Sequence, residues 1–337
     1  MAVPSPIFAR LFAVLVAGLT ASACHEGKPP QVSNQSTLPS GVASAYPVNP
    51  PAPANATAPD ATTALHVPSS SASFTVAQLM DQYNAPDWHP ADHPPMPEVV
   101  AHGRKPAVKA CAFCHLPTGD GRPENASLAG LPSDYIIAQV AAFRNGSRTS
   151  SAKGHAPTEL MIGVVRAARD AEIASAAVYF SALRHRSFVR VVEGDTIPAM
   201  HVAGWVYARK RGGGTEPLGS RIVESPDDFD QFEHRDPATR FTAFVATGSI
   251  AHGRALAEGL GNTSIPACAS CHGADFRGTA AAPMLAGRSP TMLVRQLNDF
   301  RTGARGGPAA APMSAIAHKM RDDEMIALAA YMAKQKP

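Results

Sequence analysis

Two segments of the chain share one pattern of apolar positions, and this pattern predicts an amphipathic helix in each. Residues 136–143 carry Ile, Val and Phe at positions i, i+4 and i+7, and residues 293–300 carry Leu, Leu and Phe at the same spacing. Residues with this spacing lie on one face of an α-helix, so each set is expected to be buried. Gly146 and Gly303 follow the two segments at the same distance and predict where the helices end.

A further helix is predicted later in each half, over residues 170–183 and 322–331. Both segments begin with acidic residues, which interact favourably with the positive N-terminal end of a helix dipole. Both then continue with apolar residues at helical spacing. The chain is therefore predicted to be mostly α-helical, with a similar set of helices occurring twice.

The two halves are also related by a sequence repeat, because the same residue types recur at a constant distance. Pairs that lie 157 positions apart are Cys111 and Cys268, His115 and His272, Gly130 and Gly287, Gln139 and Gln296, and Arg148 and Arg305. Pairs that lie 152 positions apart are Met161 and Met313, Asp170 and Asp322, and Tyr179 and Tyr331. A constant offset indicates one structural unit used twice, with a loop that is five residues shorter in the second copy.

The limits of the repeat predict two domains, residues 74–184 and residues 241–337. Residues 185–240 have no counterpart in the repeat and are expected to form a loop-rich connection. Two runs within this connection, residues 187–192 and 201–207, are rich in β-branched and aromatic residues and favour short strands. The expected fold is therefore all-α, in two tandem domains with a partly β-prone insertion between them.

The N-terminal region differs in composition from the rest of the chain. Residues 1–23 contain one basic residue, Arg10, then an apolar run over residues 11–19, and end in Ala-Ser-Ala before Cys24. The run is too short for a transmembrane helix and fits a signal peptide, so the protein is expected to be exported to the periplasm. Cys24 also fits attachment of a lipid, with simple cleavage as the alternative. Residues 24–73 are rich in Pro, Ala and Ser and are expected to be a disordered tether.

Composition excludes one class of partner and limits the core. The net charge is only +3, from 30 basic and 27 acidic residues, and the sequence has no long basic run. A nucleic-acid-binding protein neutralises phosphates with clustered basic side chains, so nucleic acid is not an expected partner. Aromatic residues make up only 6% of the chain, so any core has to be built largely from small side chains.

Two five-residue motifs, at residues 111–115 and 268–272, carry the candidate chemistry. Both have the pattern Cys-x-x-Cys-His. The residue frequencies predict about 0.003 chance matches to this pattern in a chain of this length, so two matches are a strong signal. The candidate residues for covalent attachment of a cofactor are Cys111, Cys114, Cys268 and Cys271. The candidate ligands of an iron in that cofactor are His115 and His272.

The spacing of these residues suits the covalent attachment of haem c. Two thiols three positions apart on one helical turn can each bond a vinyl-derived carbon of a porphyrin, and the adjacent imidazole then reaches the iron. Two motifs predict two haem c groups per chain. The alternatives are a redox-active dithiol, which is disfavoured because the motif occurs twice without a βαβ pattern, and one zinc site built from all four thiols.

With these motifs the sequence resembles the class I cytochromes c, and in particular the dihaem cytochromes of the c4 type. The resemblance covers about residues 98–183 and 241–335. It rests on Cys-x-x-Cys-His, Leu-Ala-Gly, the Gln-x-x-x-Phe-Arg-x-Gly-x-Arg helix, a methionine and the closing helix. It implies that Met161 and Met313, on the loop before the closing helix, are the second axial ligands of the two irons.

The resemblance also implies a hydrogen bond that orients each ligating imidazole. In the family, the second ring N–H is donated to the carbonyl of a proline shortly after the Cys motif. Pro283 matches this position in the second copy, and Ala126 occupies it in the first.

These observations predict an electron carrier rather than an enzyme. A histidine and a methionine would occupy both axial positions of each iron, which leaves no position for a substrate. The expected partners are redox proteins that donate and accept single electrons, and a lipid on Cys24 would attach the chain to a membrane. The alternatives are a cytochrome subunit of a dehydrogenase or oxidase complex, and a dihaem enzyme such as a peroxidase or a thiosulfate-oxidising enzyme.

Overall fold

The computed structural model describes residues 39–51, 59–262 and 264–337. The predicted signal peptide, Cys24 and the first part of the predicted tether lie outside the described residues. In the described part of the chain, no helix combines the length and the apolar character that a membrane crossing requires.

The first repeat is helical apart from one small antiparallel pair of strands. The strands are β1 (Ala64–Leu65) and β2 (Phe74–Thr75), and the helices are α1 (Val76–Met80), α2 (Glu98–Ala101), α3 (Cys111–His115), α4 (Ser133–Arg144), α5 (Ala156–Ala167) and α6 (Asp170–Ala182). Short 3-10 helices lie at Gly41–Ala45 and Pro90–Asp92. α4 packs against α5 and α6 and buries Ile136 and Val140, which confirms the predicted apolar face of this helix.

A β-rich insertion follows the first repeat. Its elements in chain order are β3 (Val189–Glu193), β4 (Thr196–Pro198), β5 (Met200–Ala203), β6 (Val206–Arg209), β7 (Thr215–Pro217), β8 (Val223–Pro226), α7 (Phe229–Glu233) and β9 (Phe241–Val245). β3 pairs in parallel with β9, and β8 pairs with the other edge of β9 in antiparallel orientation. The remaining strands form two antiparallel pairs, β4 with β7 and β5 with β6.

The second repeat has the same helix order as the first. Its helices are α8 (Ser249–Ala257), α9 (Ala269–His272), α10 (Pro290–Thr302), α11 (Ala311–Ala317) and α12 (Asp322–Lys334), with a 3-10 helix at Pro308–Ala310. α4 and α10 begin 157 positions apart and α6 and α12 begin 152 positions apart, as the repeat predicted. α8, α10 and α12 pack together around the second core, in which all three predicted apolar positions of α10 are buried.

Two expectations about the fold need correction. All-α describes the chain only roughly, because nine strands occur among the described residues. The predicted start of the second domain at residue 241 falls inside the three-stranded sheet of the insertion, since β9 is its central strand. Phe241 and Val245 are apolar, and the local sequence pattern fits both the insertion and the second domain. Only the pairing of β9 with β3 and β8 shows that these residues belong to the sheet of the insertion.

The predicted disordered tether is also wrong where the structure describes it. Val42, Ala45 and Tyr46 are buried in the second core. The Tyr46 hydroxyl donates to Asp299 Oδ1 at 3.0 Å and lies 2.8 Å from Ser151 Oγ. This segment has little charge and no periodic apolar pattern, so its burial depends on a surface formed by residues far away in sequence.

The hydroxyl of Tyr46 provides a test of this docking. Tyr46→Phe is expected to lower the free energy of unfolding by about 1–2 kcal/mol, because Asp299 and Ser151 lose a buried partner. Chemical denaturation of the purified protein measures the change. Tyr83→Phe is the matched control, since the hydroxyl of Tyr83 bonds to an exposed carbonyl of Pro106. Equal stability of both variants would show that this segment does not dock as described.

The two repeats meet through equivalent residues of α4, α10 and the loops that follow them. Arg148 donates to Gln139 Oε1 and to Gln296 Oε1, at 2.8 Å each. Arg305 donates to the same two amides, at 2.9 Å and 2.8 Å. Gln139 and Gln296, like the two arginines, are repeat partners, so the contact is close to two-fold symmetric.

Candidate functional site

The first Cys motif forms a single helical turn. Cys111 and Cys114 lie three positions apart on α3, and His115 at its end is buried. The Nδ1–H of His115 donates to the carbonyl of Ala126 at 2.7 Å, which leaves Nε2 as the free ring nitrogen. The ring of Phe180 packs edge-on against the imidazole, with 6.1 Å between the centroids.

The second motif has the same geometry. Cys268 precedes α9, Cys271 lies within it, and His272 at its end is buried. The Nδ1–H of His272 donates to the carbonyl of Pro283 at 2.8 Å. Both predicted carbonyl acceptors are therefore confirmed, and the first copy keeps the bond with alanine in place of proline.

The turn after each motif explains why two glycines recur. The carbonyls of His115 and His272 accept from the amides of Gly121 and Gly278, at 3.0 Å and 2.9 Å. Both glycines have a positive φ, and a Cβ on Gly121 would lie 2.6 Å from the carbonyl oxygen of Ala126. That oxygen is the acceptor for His115, so a side chain here would displace the bond that orients the imidazole.

Burial favours the neutral forms of Cys111, Cys268, His115 and His272. It raises the pKa of the Cys111 thiol to about 12 and that of Cys268 to about 11. It lowers the pKa of both His115 and His272, although each hydrogen bond to a carbonyl acts in the opposite direction. All four motif cysteines are free thiols rather than disulfides. Each motif therefore presents two thiols and one neutral imidazole, as haem attachment and iron ligation require.

The two predicted methionines lie on helices rather than on a loop. Met161 is in α5 and Met313 is in α11, directly after Pro312. Met161 packs against the same core as Cys111, and Met313 packs against the same core as Cys268. Each repeat thus places one thiol of its motif and one thioether against the same core, and the role of each methionine as a ligand stays a prediction.

The alternative of one zinc site disagrees with this arrangement. Cys111 packs against the core of the first repeat and Cys268 against that of the second, so the four thiols do not converge. Among the described residues, no group of three or more His, Cys, Asp or Glu side chains is placed to hold a metal ion.

One buried arginine that the sequence pattern did not single out joins the two sites. Arg288 donates to the carbonyl of Ser127 at 2.7 Å and to that of Met284 at 3.2 Å. Ser127 and Met284 directly follow Ala126 and Pro283, the residues whose carbonyls hold the two imidazoles. The loops that orient the two candidate ligands are therefore connected through a single side chain.

The charge of the contact between the repeats also fits haem. Burial lowers the pKa of Arg288 to about 10 and that of Arg148 to about 9, so these cations are poorly solvated. In the described part of the chain, the contact has four arginines that form no salt bridge with a carboxylate, namely Arg148, Arg288, Arg295 and Arg305. Carboxylates such as Asp299 lie near some of these arginines without forming a salt bridge with them. Haem c carries two propionates, which are anions that would pair with guanidinium groups of this kind.

The insertion contacts the first motif, which sequence reasoning missed. The guanidinium of Arg235 lies 3.6 Å from the centroid of the Phe113 ring, and its Nη1 donates to the Phe113 carbonyl at 2.8 Å. Residues 185–240 have no counterpart in the repeat, so no sequence signal linked Arg235 to the motif.

The fold and the two sites define a class of protein, helical domains that attach haem through Cys-x-x-Cys-His and an axial histidine. Comparison with known proteins agrees, because residues 251–336 match the cytochrome c family. The chain is 36% identical over 77 residues to cytochrome c-554(548) of Halomonas halodenitrificans, which covers 23% of this chain and 93% of that protein. The chain belongs to the cytochrome c family, and its cofactor is covalently bound haem c.

Two longer relatives extend this result. Cytochrome c4 of Azotobacter vinelandii is 24% identical over 227 residues, covering 66% of this chain and 82% of that protein. The thiosulfate dehydrogenase electron acceptor of Stutzerimonas stutzeri is 46% identical over 77 residues, which is 22% of this chain and 34% of that protein. The chain thus matches about a third of the length of the S. stutzeri protein, and within its family it resembles the dihaem c4 type.

Proposed function

We propose that this protein is a dihaem electron carrier that passes single electrons between redox partners. Cys111 and Cys114 attach one haem, and Cys268 and Cys271 attach the other. His115 and Met161 would hold one iron, and His272 and Met313 would hold the other.

One observation carries this proposal. In both repeats the motif imidazole donates Nδ1–H to a loop carbonyl, so Nε2 is unprotonated and held in one orientation. The same relation at residues 115 and 272, in two copies of one helical unit, supports two iron sites of the same kind.

The residues around each site prepare it for electron transfer. When bound, haem c supplies an iron that changes by one electron between its ferric and ferrous states. The carbonyls of Ala126 and Pro283 fix the orientation of the imidazoles, and burial keeps the imidazoles neutral. A thioether is a weak neutral donor that favours the ferrous state and raises the reduction potential. The buried apolar side chains of each core exclude water, so little solvent has to reorganise when an electron arrives.

Methionine variants test the axial ligands. Met161→Ala and Met313→Ala are each expected to remove half of the long-wavelength methionine-to-iron charge-transfer band of the ferric protein, and the double variant to remove all of it. Each variant should also lower the reduction potential of one haem, because a thioether that favours the ferrous state is lost. Absorption spectroscopy and a redox titration measure both effects.

Met320→Leu is the control for these variants. Met320 is a buried core methionine without a proposed ligand role, so the band is expected to persist in full. An unchanged band in Met161→Ala would show that another residue is the iron ligand in the first repeat.

We infer that the donor is a dehydrogenase, because the S. stutzeri relative is named an electron acceptor of thiosulfate dehydrogenase. The measurement is reduction of the protein by thiosulfate in the presence of such an enzyme and not without it. A permanent subunit would remain bound to the dehydrogenase in high salt, whereas a mobile carrier would dissociate.

We also infer export to the periplasm and lipid attachment at Cys24. Residues 1–23 and the Ala-Ser-Ala sequence before Cys24 support this inference. The mass of the mature N-terminal peptide distinguishes acylation of Cys24 from simple cleavage.

A further inference from the structure

The loop after each Cys motif is covered to a different degree in the two repeats. Residues 116–124 and residues 273–281 are counterparts at the offset of 157. All nine residues of the first loop are buried, whereas six of the nine in the second are exposed. The neighbouring cysteines follow the same trend, because Cys114 is half-buried and Cys271 is exposed. Two copies of one structural unit therefore differ in access to the edge of the site.

The insertion covers one side of the first loop. The guanidinium of Arg122, a loop residue, lies 3.8 Å from the centroid of the Phe232 ring in α7. Arg186 contacts Asp120 of the loop, with 2.8 Å between Nη2 and Oδ2. Together with Arg235 on Phe113, these contacts place a layer of protein over the edge of the first motif.

The second repeat covers the other side of the first loop. Arg295 of α10 donates to the carbonyl of Pro123 and is itself buried.

Arg235 of the insertion has a φ of +58°, an unusual conformation for a residue with a side chain, and its contacts with Phe113 hold it there. The cover is thus built from specific polar and cation–π contacts rather than from a loosely placed loop.

The second loop has no comparable cover among the described residues, and its surface has little charge. Its exposed positions include Ala274, Ala280 and Ala281. Asp275 and Arg277 are also exposed, but their charged groups lie 3.6 Å apart, so they largely cancel at a distance. A small, nearly neutral surface suits the brief, limited contact of two redox proteins.

We propose that electrons enter and leave this protein through the edge beside Cys271 and residues 273–281, while the insertion closes the equivalent edge beside Cys114. The first haem then exchanges electrons with the outside only by way of the second. The occupant of the exposed edge is a redox protein with a contact surface of low charge. This proposal rests on the proposed function, because it requires a haem at each motif.

The physical reason is distance. The rate of electron transfer falls steeply as the separation between donor and acceptor grows, so a partner has to approach one edge of the cofactor closely. A partner at the first edge would be held away by the side chains of Phe232 and Arg235 in addition to its own surface. A partner at the second edge would meet the side chains of residues 273–281 themselves, most of which are small, without a second layer of protein among the described residues.

Charged oxidants of opposite sign test the route. The fully reduced protein gives up two electrons, one to each of two ferricyanide ions, which become ferrocyanide. In the variant Ala280→Asp with Ala281→Asp, oxidation by ferricyanide is expected to slow by about fivefold at ~0.1 M ionic strength, and oxidation by tris(phenanthroline)cobalt(III) to accelerate by a similar factor. Stopped-flow absorbance measures both rates over the full absorbance change of the two haems.

The control variant carries the same change of charge elsewhere. Ala138→Asp with Ala141→Asp, at exposed positions of α4, is expected to leave both rates unchanged. The proposal is overturned if half of the absorbance change keeps its original rate in the first variant, because the first haem would then react directly. Unchanged rates over the whole absorbance change would also overturn it. A failure of the proposed function would be recognised separately, before the kinetic experiment. In that case the purified protein would contain no covalent haem, or its haem could not be reduced.

Discussion

Replacing Cys268 and Cys271 together by serine is expected to reduce the covalently bound haem from two groups per chain to one. Serine forms no thioether, and the remaining His272 holds a porphyrin only through its iron. The change should also destabilise the second repeat, because its core would lose contact with a large apolar group. Haem absorbance after acid extraction, with the mass of the proteolytic peptides, measures this content.

The first repeat provides the matched variant for this experiment. Cys111→Ser with Cys114→Ser should also leave one haem, now attached to the peptide that contains Cys268. Two haems remaining in either variant would contradict the assignment of the cysteines. Loss of both haems from one variant would show that the two attachments are not independent.

Acidification from pH 7 to pH 5 is expected to lower the free energy of unfolding by about 4 kcal/mol through two buried histidines. Burial lowers the pKa of His155 to about 3, with a smaller effect from Arg295. Burial and then Arg288 lower the pKa of His185 to about 3. Between pH 6.5 and pH 3 the unfolded chain binds protons that the folded chain does not, so stability is present above this window and is lost as the pH falls through it.

Denaturant unfolding of the ferric protein at pH 7, 6 and 5 measures this loss. His155→Gln and His185→Gln should each remove about half of the pH dependence, because glutamine is polar and does not titrate. The surroundings of His185 include Asp120 at 3.9 Å and Ser127 at 3.2 Å, and glutamine can still bond to the serine. An unchanged pH dependence in the double variant would show that other groups cause the loss of stability at low pH.

Much of the candidate site followed from local sequence. A Cys-x-x-Cys-His motif brings its own thiols and imidazole together on one turn, so their proximity does not depend on the rest of the chain. The acceptor carbonyls of Ala126 and Pro283 lie only eleven positions after their histidines, within the same loop. The apolar faces of α4 and α10 followed from helical periodicity, which depends only on neighbouring residues.

The insertion shows where this reasoning stopped. Its strands were anticipated from β-prone runs near residues 187–192 and 201–207, but the pairing of β3 with β9 joins segments about fifty positions apart. The role of Arg235 depended on its approach to Phe113, 122 positions away. An isolated arginine in a loop carries no pattern that identifies such a partner.

What the sequence by itself determined is therefore the chemistry of the two repeats, which is one haem attachment motif in each, its imidazole and the helices around it. Only the tertiary structure decided how the copies differ, through the burial of Tyr46, the connection made by Arg288 and the cover over residues 116–124. The reason is physical. Helical periodicity and motif spacing are short-range properties, whereas burial and polar contacts between distant segments arise only when the whole chain has folded.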